Sequence, residues 1–121
     1  MAKVLIVEDE VSLAEMYKTI LQKNGFETIE CFNGHDALLA LDAQAFDIVV
    51  SDIKMPVMDG IELLKEIRKR DSKHPPVLLV SGYSDYSPQD MIEKGAVGFL
   101  QKPIRTKVLI ERIHEILGAQ A

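Results

Sequence analysis

Four apolar runs in this chain lead into groups that could do chemistry. Val4-Leu5-Ile6-Val7 runs into Glu8-Asp9, Ile48-Val49-Val50 into Asp52, Val77-Leu78-Leu79-Val80 into Ser81, and Val97-Gly98-Phe99-Leu100 into Lys102. Carboxylates brought together repel, and they stay ionised only where something positive neutralises them. A hard divalent cation suits such oxygen donors, and Mg²⁺ takes one or two carboxylates together with water and phosphate oxygens. Asp52 is the candidate nucleophile, because a carboxylate can accept a phosphoryl group as an acyl phosphate. That transfer asks a protein for positioning and charge neutralisation. Lys102 would supply the charge and Ser81 a donor hydroxyl. Plainer readings stand beside these. Glu8 to Glu10 could simply charge the first turn of a helix, which is the preferred reading for Glu10. Ser81 alone could be a turn residue before Gly82, and Lys102 alone a solvated charge. Their recurrence at matching strand ends favours chemistry for Glu8, Asp9, Asp52, Ser81 and Lys102.

The elements that must position these residues follow from periodicity. Short unbroken runs of Val, Ile and Leu are the pattern of parallel strands covered on both faces. Parallel strands share one C-terminal edge, where open α/β sheets bind ligands. Between the strands, Leu13, Met16, Tyr17, Ile20 and Leu21 fall on one helical face, stopped by Asn24-Gly25. A second strand is expected over about Glu27 to Cys31. Asn33 offers a cap for a second helix, with Asp36 three positions on and Leu38 and Leu41 on its apolar side. Asp59-Gly60-Ile61-Glu62 reads as a capping box before a third helix that buries Ile61, Leu64 and Ile67. Ser87-Pro88-Gln89-Asp90 opens a shorter fourth helix closed by Gly95. The last helix carries Leu109, Ile113, Ile116 and Leu117 and is expected to end at Gly118. Alternation of this kind implies a single α/β domain over residues 1–121, a doubly wound five-stranded parallel sheet flanked by five helices.

The totals set bounds. At 121 residues the chain suffices for one real core. A net charge of −5 argues against nucleic acid as a direct partner. No run approaches the roughly 18 apolar residues of a membrane span, and no secretory-leader pattern precedes the first strand. The lone Cys31 reads as a small buried hydrophobe and suits a reducing compartment. The expected location is the cytoplasm, away from membranes.

The segments KVLIVEDE, IVVSDIKMPVMDG, VLLVSGYS and GFLQKP together resemble the receiver domain of two-component response regulators, in residue type, order and spacing across essentially the whole chain. The resemblance implies the flavodoxin-like strand order 2-1-3-4-5, which the chemotaxis member of that family exemplifies. It implies a phosphoacceptor switch and not an enzyme, its chemistry confined to self-phosphorylation from small phosphodonors and autodephosphorylation. Asp52 would be phosphorylated by a sensor histidine kinase or phosphotransfer protein. Asp9, Asp52 and the Lys54 backbone carbonyl would bind Mg²⁺, or Mn²⁺ in its place, with Glu8 acting through water. Ser81 and Lys102 would contact the phosphoryl group. Ser81 and Phe99 would form the switch that reshapes the fourth helix, fifth strand and fifth helix for an unknown downstream protein. Lys102-Pro103 is expected to be a cis peptide. Met55-Pro56 and Asp59-Gly60 would shape the loop after the acceptor, Pro by fixing φ and Gly by permitting unusual angles. Lys54 and Tyr83, two residues after Asp52 and Ser81, match positions that tune the acyl phosphate lifetime.

Other signals carry less. His35, His74 and His114 share no metal-ligand spacing and are expected on solvated helix ends or loops. Arg68-Lys69-Arg70 reads as cations complementing a helix dipole. Tyr83 and Tyr86 only weakly mark a partner surface. Three other functions compete with this reading. A receiver module excised from a hybrid histidine kinase, acting as a phosphate shuttle or sink, is the nearest. A phosphatase with an Asp nucleophile would want an Asp-x-Asp pair after the first strand. A flavodoxin-like nucleotide binder would want a hydroxyl- and Gly-rich loop there, where Glu8-Asp9-Glu10 stands.

Overall fold

Because both faces of the sheet are covered, its central strands are apolar without alternation. The structure, a computed structural model, describes residues 1–82 and 86–120, the last through its backbone only. The strands are β1 (Lys3–Val7), β2 (Glu27–Cys31), β3 (Ile48–Asp52), β4 (Val77–Ser81) and β5 (Gly98–Gln101). The helices are α1 (Val11–Lys23), α2 (Gly34–Ala43), α3 (Gly60–Arg70), α4 (Pro88–Glu93) and α5 (Thr106–Gln120). All pairings are parallel, in the order β2-β1-β3-β4-β5. β3 and β4 are buried along their whole length, whereas the edge strand β2 is buried only at Cys31.

Alternate residues of the strands divide the core in two. Leu5, Val7, Val49, Val77 and Leu79 face Ala37 of α2, Leu63, Leu64 and Ile67 of α3, and Met91 of α4. Val4, Ile6, Ile48, Val50, Leu78 and Val80 face Tyr17 and Leu21 of α1 and Leu109, Ile113 and Ile116 of α5. Burying each such Leu or Ile contributes about 1.5–3 kcal/mol. These two layers cover both faces of the sheet, and the polar groups lie at its C-terminal edge.

Local signals act as chemistry dictates. Asn33 accepts from the Asp36 N–H at 2.8 Å, Ser87 caps α4 through the Asp90 N–H at 3.1 Å, and Asp59 and Glu62 form both halves of a capping box. Gly25 and Gly95 close α1 and α4 with φ of +86° and +110°, the left-handed region that glycine enters freely.

Several expectations need correction. In α1 the fully buried stripe is Ala14, Tyr17 and Leu21, while Met16 is exposed at the edge of a groove formed with Pro103 and Ile104. In α3, Leu63 takes the buried place expected of Ile61, which is half-buried. α5 runs through Gly118 to Gln120; a helical glycine costs about 1 kcal/mol, too little to end a helix anchored by Leu109, Ile113 and Ile116. His114 lies within α5, not at its end, with its ring 5.3 Å from that of Phe26. The basic cluster also separates. Lys69 pairs with Glu66 and Arg70 with Asp42, whereas Arg68 reaches across to the Gly95 and Pro75 carbonyls at 2.9 and 2.8 Å. Arg68 therefore ties α3 to the α4–β5 turn. Among the described residues, no helix is long and apolar enough to cross a membrane.

Candidate functional site

Ladder hydrogen bonds carried one residue beyond the strands fix the rim. The Glu8 N–H donates to the Cys31 carbonyl at 3.0 Å, the Ile53 N–H to Val80 at 3.0 Å, and the Lys102 N–H to Ser81 at 2.8 Å. Glu8, Asp52 and Lys102 thus leave the sheet edge as neighbours, although they lie far apart in sequence. The Lys102–Pro103 peptide is cis.

Lys102 Nζ lies 2.8 Å from Glu8 Oε1 and 3.0 Å from Asp52 Oδ2. Glu8 is buried to 1% exposure, and its second oxygen accepts the Glu10 N–H at 3.1 Å. Asp9 is exposed, and its carboxylate completes a group in which one oxygen each of Glu8, Asp9 and Asp52 lie within 4.8 Å of one another. Asp9, Glu10, Asp52, Lys54, Gly82 and Lys102 line a cavity of about 480 Å³. Ser81 is fully buried at the end of β4, and among the described residues its neighbour Gly82, not Ser81, forms the cavity wall. Phe99 is half-buried on β5, packed against the layer that contains Met91. Lys54 is exposed, with its ammonium over the Tyr86 ring, 5.7 Å from the centroid. Tyr83 lies outside the described residues.

Charge explains the arrangement. Burial pushes the Glu8 carboxyl above its ordinary range, and the Asp52 charge adds to this; hydrogen bonds from Lys102 and the Glu10 N–H oppose it. Burial alone would lower Lys102, but its bonds to Glu8 and Asp52 overcome that and hold the ammonium above the usual lysine value. Burial also pushes the nearby Tyr17 phenol up to about 12, within the field of these same charges. About this cavity the carboxylates of Glu8, Asp9, Glu10 and Asp52 outnumber the ammonium groups of Lys102 and Lys54, so negative charge is in surplus. A surplus on hard oxygen donors this close together fits Mg²⁺.

Gly60 was expected to permit unusual angles, but it adopts no positive φ; its role is closeness. A Cβ there would stand 2.3 Å from the Asp52 carbonyl oxygen, and the Gly60 N–H donates to Ile53 at 2.8 Å. The left-handed residue of this loop is instead Val57, with φ of 69°. No sequence signal marks a β-branched residue for that conformation.

Residues 4–114 match the model of the response regulator receiver domain. The chain belongs to that family. It is 36% identical over 117 residues to the chemotaxis protein CheY of Bacillus subtilis, covering 96% of this chain and 98% of that one. It is 38% identical over 121 residues to the transcriptional regulatory protein CpxR homolog of Haemophilus influenzae, covering all of this chain and 52% of that protein. Among solved structures, the Francisella response regulator 1452 receiver domain superposes with a TM-score of 0.93 at 31% identity, covering 100% of both chains. The chain spans about half the length of the first curated relatives it matches. A receiver domain is a phosphoacceptor signalling switch of two-component systems, phosphorylated by histidine kinases and binding Mg²⁺ through acidic residues. The receiver fold and its acidic rim coincide here.

Proposed function

We propose that Asp52 is the phosphoacceptor of this receiver domain and that Glu8, Asp9 and Lys102 make the transfer feasible. The observation that carries this reading is Lys102 Nζ bridging Glu8 and Asp52 at 2.8 and 3.0 Å beside the Asp9 carboxylate. An Asp52 carboxylate oxygen forms a bond to phosphorus while the P–N bond of a phosphohistidine donor breaks and the imidazole leaves. Lys102 sits where phosphoryl oxygens would arrive and can follow them with its ammonium, since flexible stems let lysine act as a movable point charge. Asp9, Asp52 and the Lys54 backbone carbonyl would hold Mg²⁺ or Mn²⁺, with Glu8 one layer behind through water. The bound ion would neutralise negative charge on the phosphoryl oxygens.

Ser81 and Phe99 serve as the switch, and their move changes the surface of α4, β5 and α5. Moving such an equilibrium from 1:99 to 99:1 requires about 5.5 kcal/mol of differential stabilisation. The donor is a sensor histidine kinase or phosphotransfer protein, the receiver of the signal is a protein downstream, and the setting is the cytoplasm. The same site would phosphorylate itself from small phosphodonors and slowly lose the group to water. Incubation with acetyl phosphate and Mg²⁺ should add one phosphoryl group by intact mass. Asp52→Asn or chelation should abolish it; a modification that survives both would refute the assignment.

A further inference from the structure

We infer that Arg68 is a clamp that fixes the C-terminal end of α4, so that the change following phosphorylation is carried by the N-terminal end of that helix. This rests on the assignment of Asp52 and of the Phe99 switch above. The contacts of the guanidinium carry it. Arg68 Nε donates to the Gly95 carbonyl at 2.9 Å, and Nη2 donates to the Pro75 carbonyl at 2.8 Å. Pro75 stands shortly before β4 and Gly95 shortly before β5. One planar fork on α3 thus holds the entries to two neighbouring strands. The stem also lies on the turn itself, since a Cβ added at Gly95 would stand 2.9 Å from Arg68 Cγ.

α4 is six residues long, and Met91 is its one buried side chain. Its two ends are tied differently. At the C-terminal end, the Ala96 N–H donates to the Met91 carbonyl at 3.0 Å and the Val97 N–H to Val77 of β4 at 2.9 Å. The Ala96 N–H belongs to the same peptide unit as the Gly95 carbonyl that Arg68 binds. At the N-terminal end, Ser87 accepts the Asp90 N–H at 3.1 Å and the Met91 N–H at 3.2 Å, bonds made within the helix's own first turn. Tyr86, which precedes that cap, packs with Phe99 against the layer that contains Met91. Hydrogen bonds from a charged donor are roughly twice as strong as neutral ones. Burial disfavours the guanidinium charge, and the nearby Asp71 carboxylate opposes that effect. The end of α3, the start of β4 and the α4–β5 turn therefore move as one body. A helix fixed at one end turns about that end, so a shift of Phe99 displaces the end that carries Tyr86 and Ser87.

The test follows backbone amide exchange by NMR in the parent, Arg68→Lys and Arg68→Met, each without and with excess acetyl phosphate and Mg²⁺. Phosphorylation of the parent should change exchange at the Asp90 and Met91 amides and leave Ala96 and Val97 unchanged. Arg68→Met should speed exchange at Ala96 and Val97 about ten- to a hundredfold before any phosphoryl group is added, the population change that one lost bond to a charged group supports. Phosphorylation should then move those two amides as well. Arg68→Lys keeps the charge but cannot span both carbonyls, and it should show the same effect at a smaller size. The Val49 and Val50 amides of β3 measure global opening, and the gain at Ala96 and Val97 should exceed theirs. A gain no larger than at Val49 and Val50, a response of Ala96 and Val97 to phosphorylation in the parent, or none at Asp90 and Met91 would overturn the inference. Failure of the parent itself to acquire a phosphoryl group by intact mass would overturn the Asp52 assignment instead.

Discussion

Lys102 is where the opposing electrostatic demands of the rim meet. Glu8 and Asp52 have side chains only 1% and 9% exposed, and removing a carboxylate from water costs several kcal/mol after relaxation. One ammonium bonded to both offsets part of that cost. Replacing it leaves two neighbouring carboxylates without their cation. Lys102→Met is expected to lower stability at neutral pH by about 3 kcal/mol. The sign of its pH dependence follows from Glu8. Burial already raises that carboxyl, and loss of Lys102 removes the strongest influence lowering it. The folded variant then holds a proton that the unfolded chain releases, so acidification stabilises it. Urea unfolding in chelator should show the gap to the parent narrowing as pH falls, and a gap that widens would contradict this. At this scale the sequence was informative about residue type and silent about partners. Glu8, Asp52 and Lys102 stand out because each follows an apolar run, but the Glu8–Lys102 pair spans 94 positions and no periodicity encodes it.

At the scale of elements, the turn from β3 into α3 shows how a helix start packs against the Asp52 backbone. The capping box of Asp59 and Glu62 was readable because its partners are three residues apart. The close approach of Gly60 to the Asp52 carbonyl was not, since it depends on how the helix returns to the strand. Gly60→Ala should cost about 2–3 kcal/mol, as overpacking against backbone does, and should slow phosphorylation by displacing Asp52. Gly118→Ala is the matching control. No atom lies within 4 Å of its added Cβ, and alanine in a helix should stabilise by up to about 1 kcal/mol. Thermal unfolding of both variants checks the pair, and a Gly60→Ala protein as stable and as readily phosphorylated as the parent would refute the packing argument. The misread faces of α1 and α3 share one physical cause. Periodicity marks which residues are apolar, while the neighbouring layer decides which of them are covered. Met16 is left at a groove edge and Leu63 is drawn in.

For the molecule as a whole, alternation of strands and helices was legible, because both faces of a parallel sheet must be covered and each strand therefore lacks polar punctuation. The order β2-β1-β3-β4-β5 came from resemblance, as no local signal says which strands lie side by side. That order puts β1 beside β3, and so sets Glu8 and Asp9 next to Asp52 at one edge. Buried layers cover both faces of the sheet, and Phe99 and Tyr86 pack against the same apolar layer. The account stands or falls on which atom receives the phosphoryl group. An acyl phosphate, unlike a phosphoserine or phosphohistidine, is reduced by borohydride to an alcohol, which would convert the modified aspartate to homoserine. After incubation with acetyl phosphate and Mg²⁺, reduction and peptide mapping should find homoserine at position 52 alone. Homoserine at Asp9, or a phosphoryl group that resists reduction and maps to Ser81, would contradict the assignment.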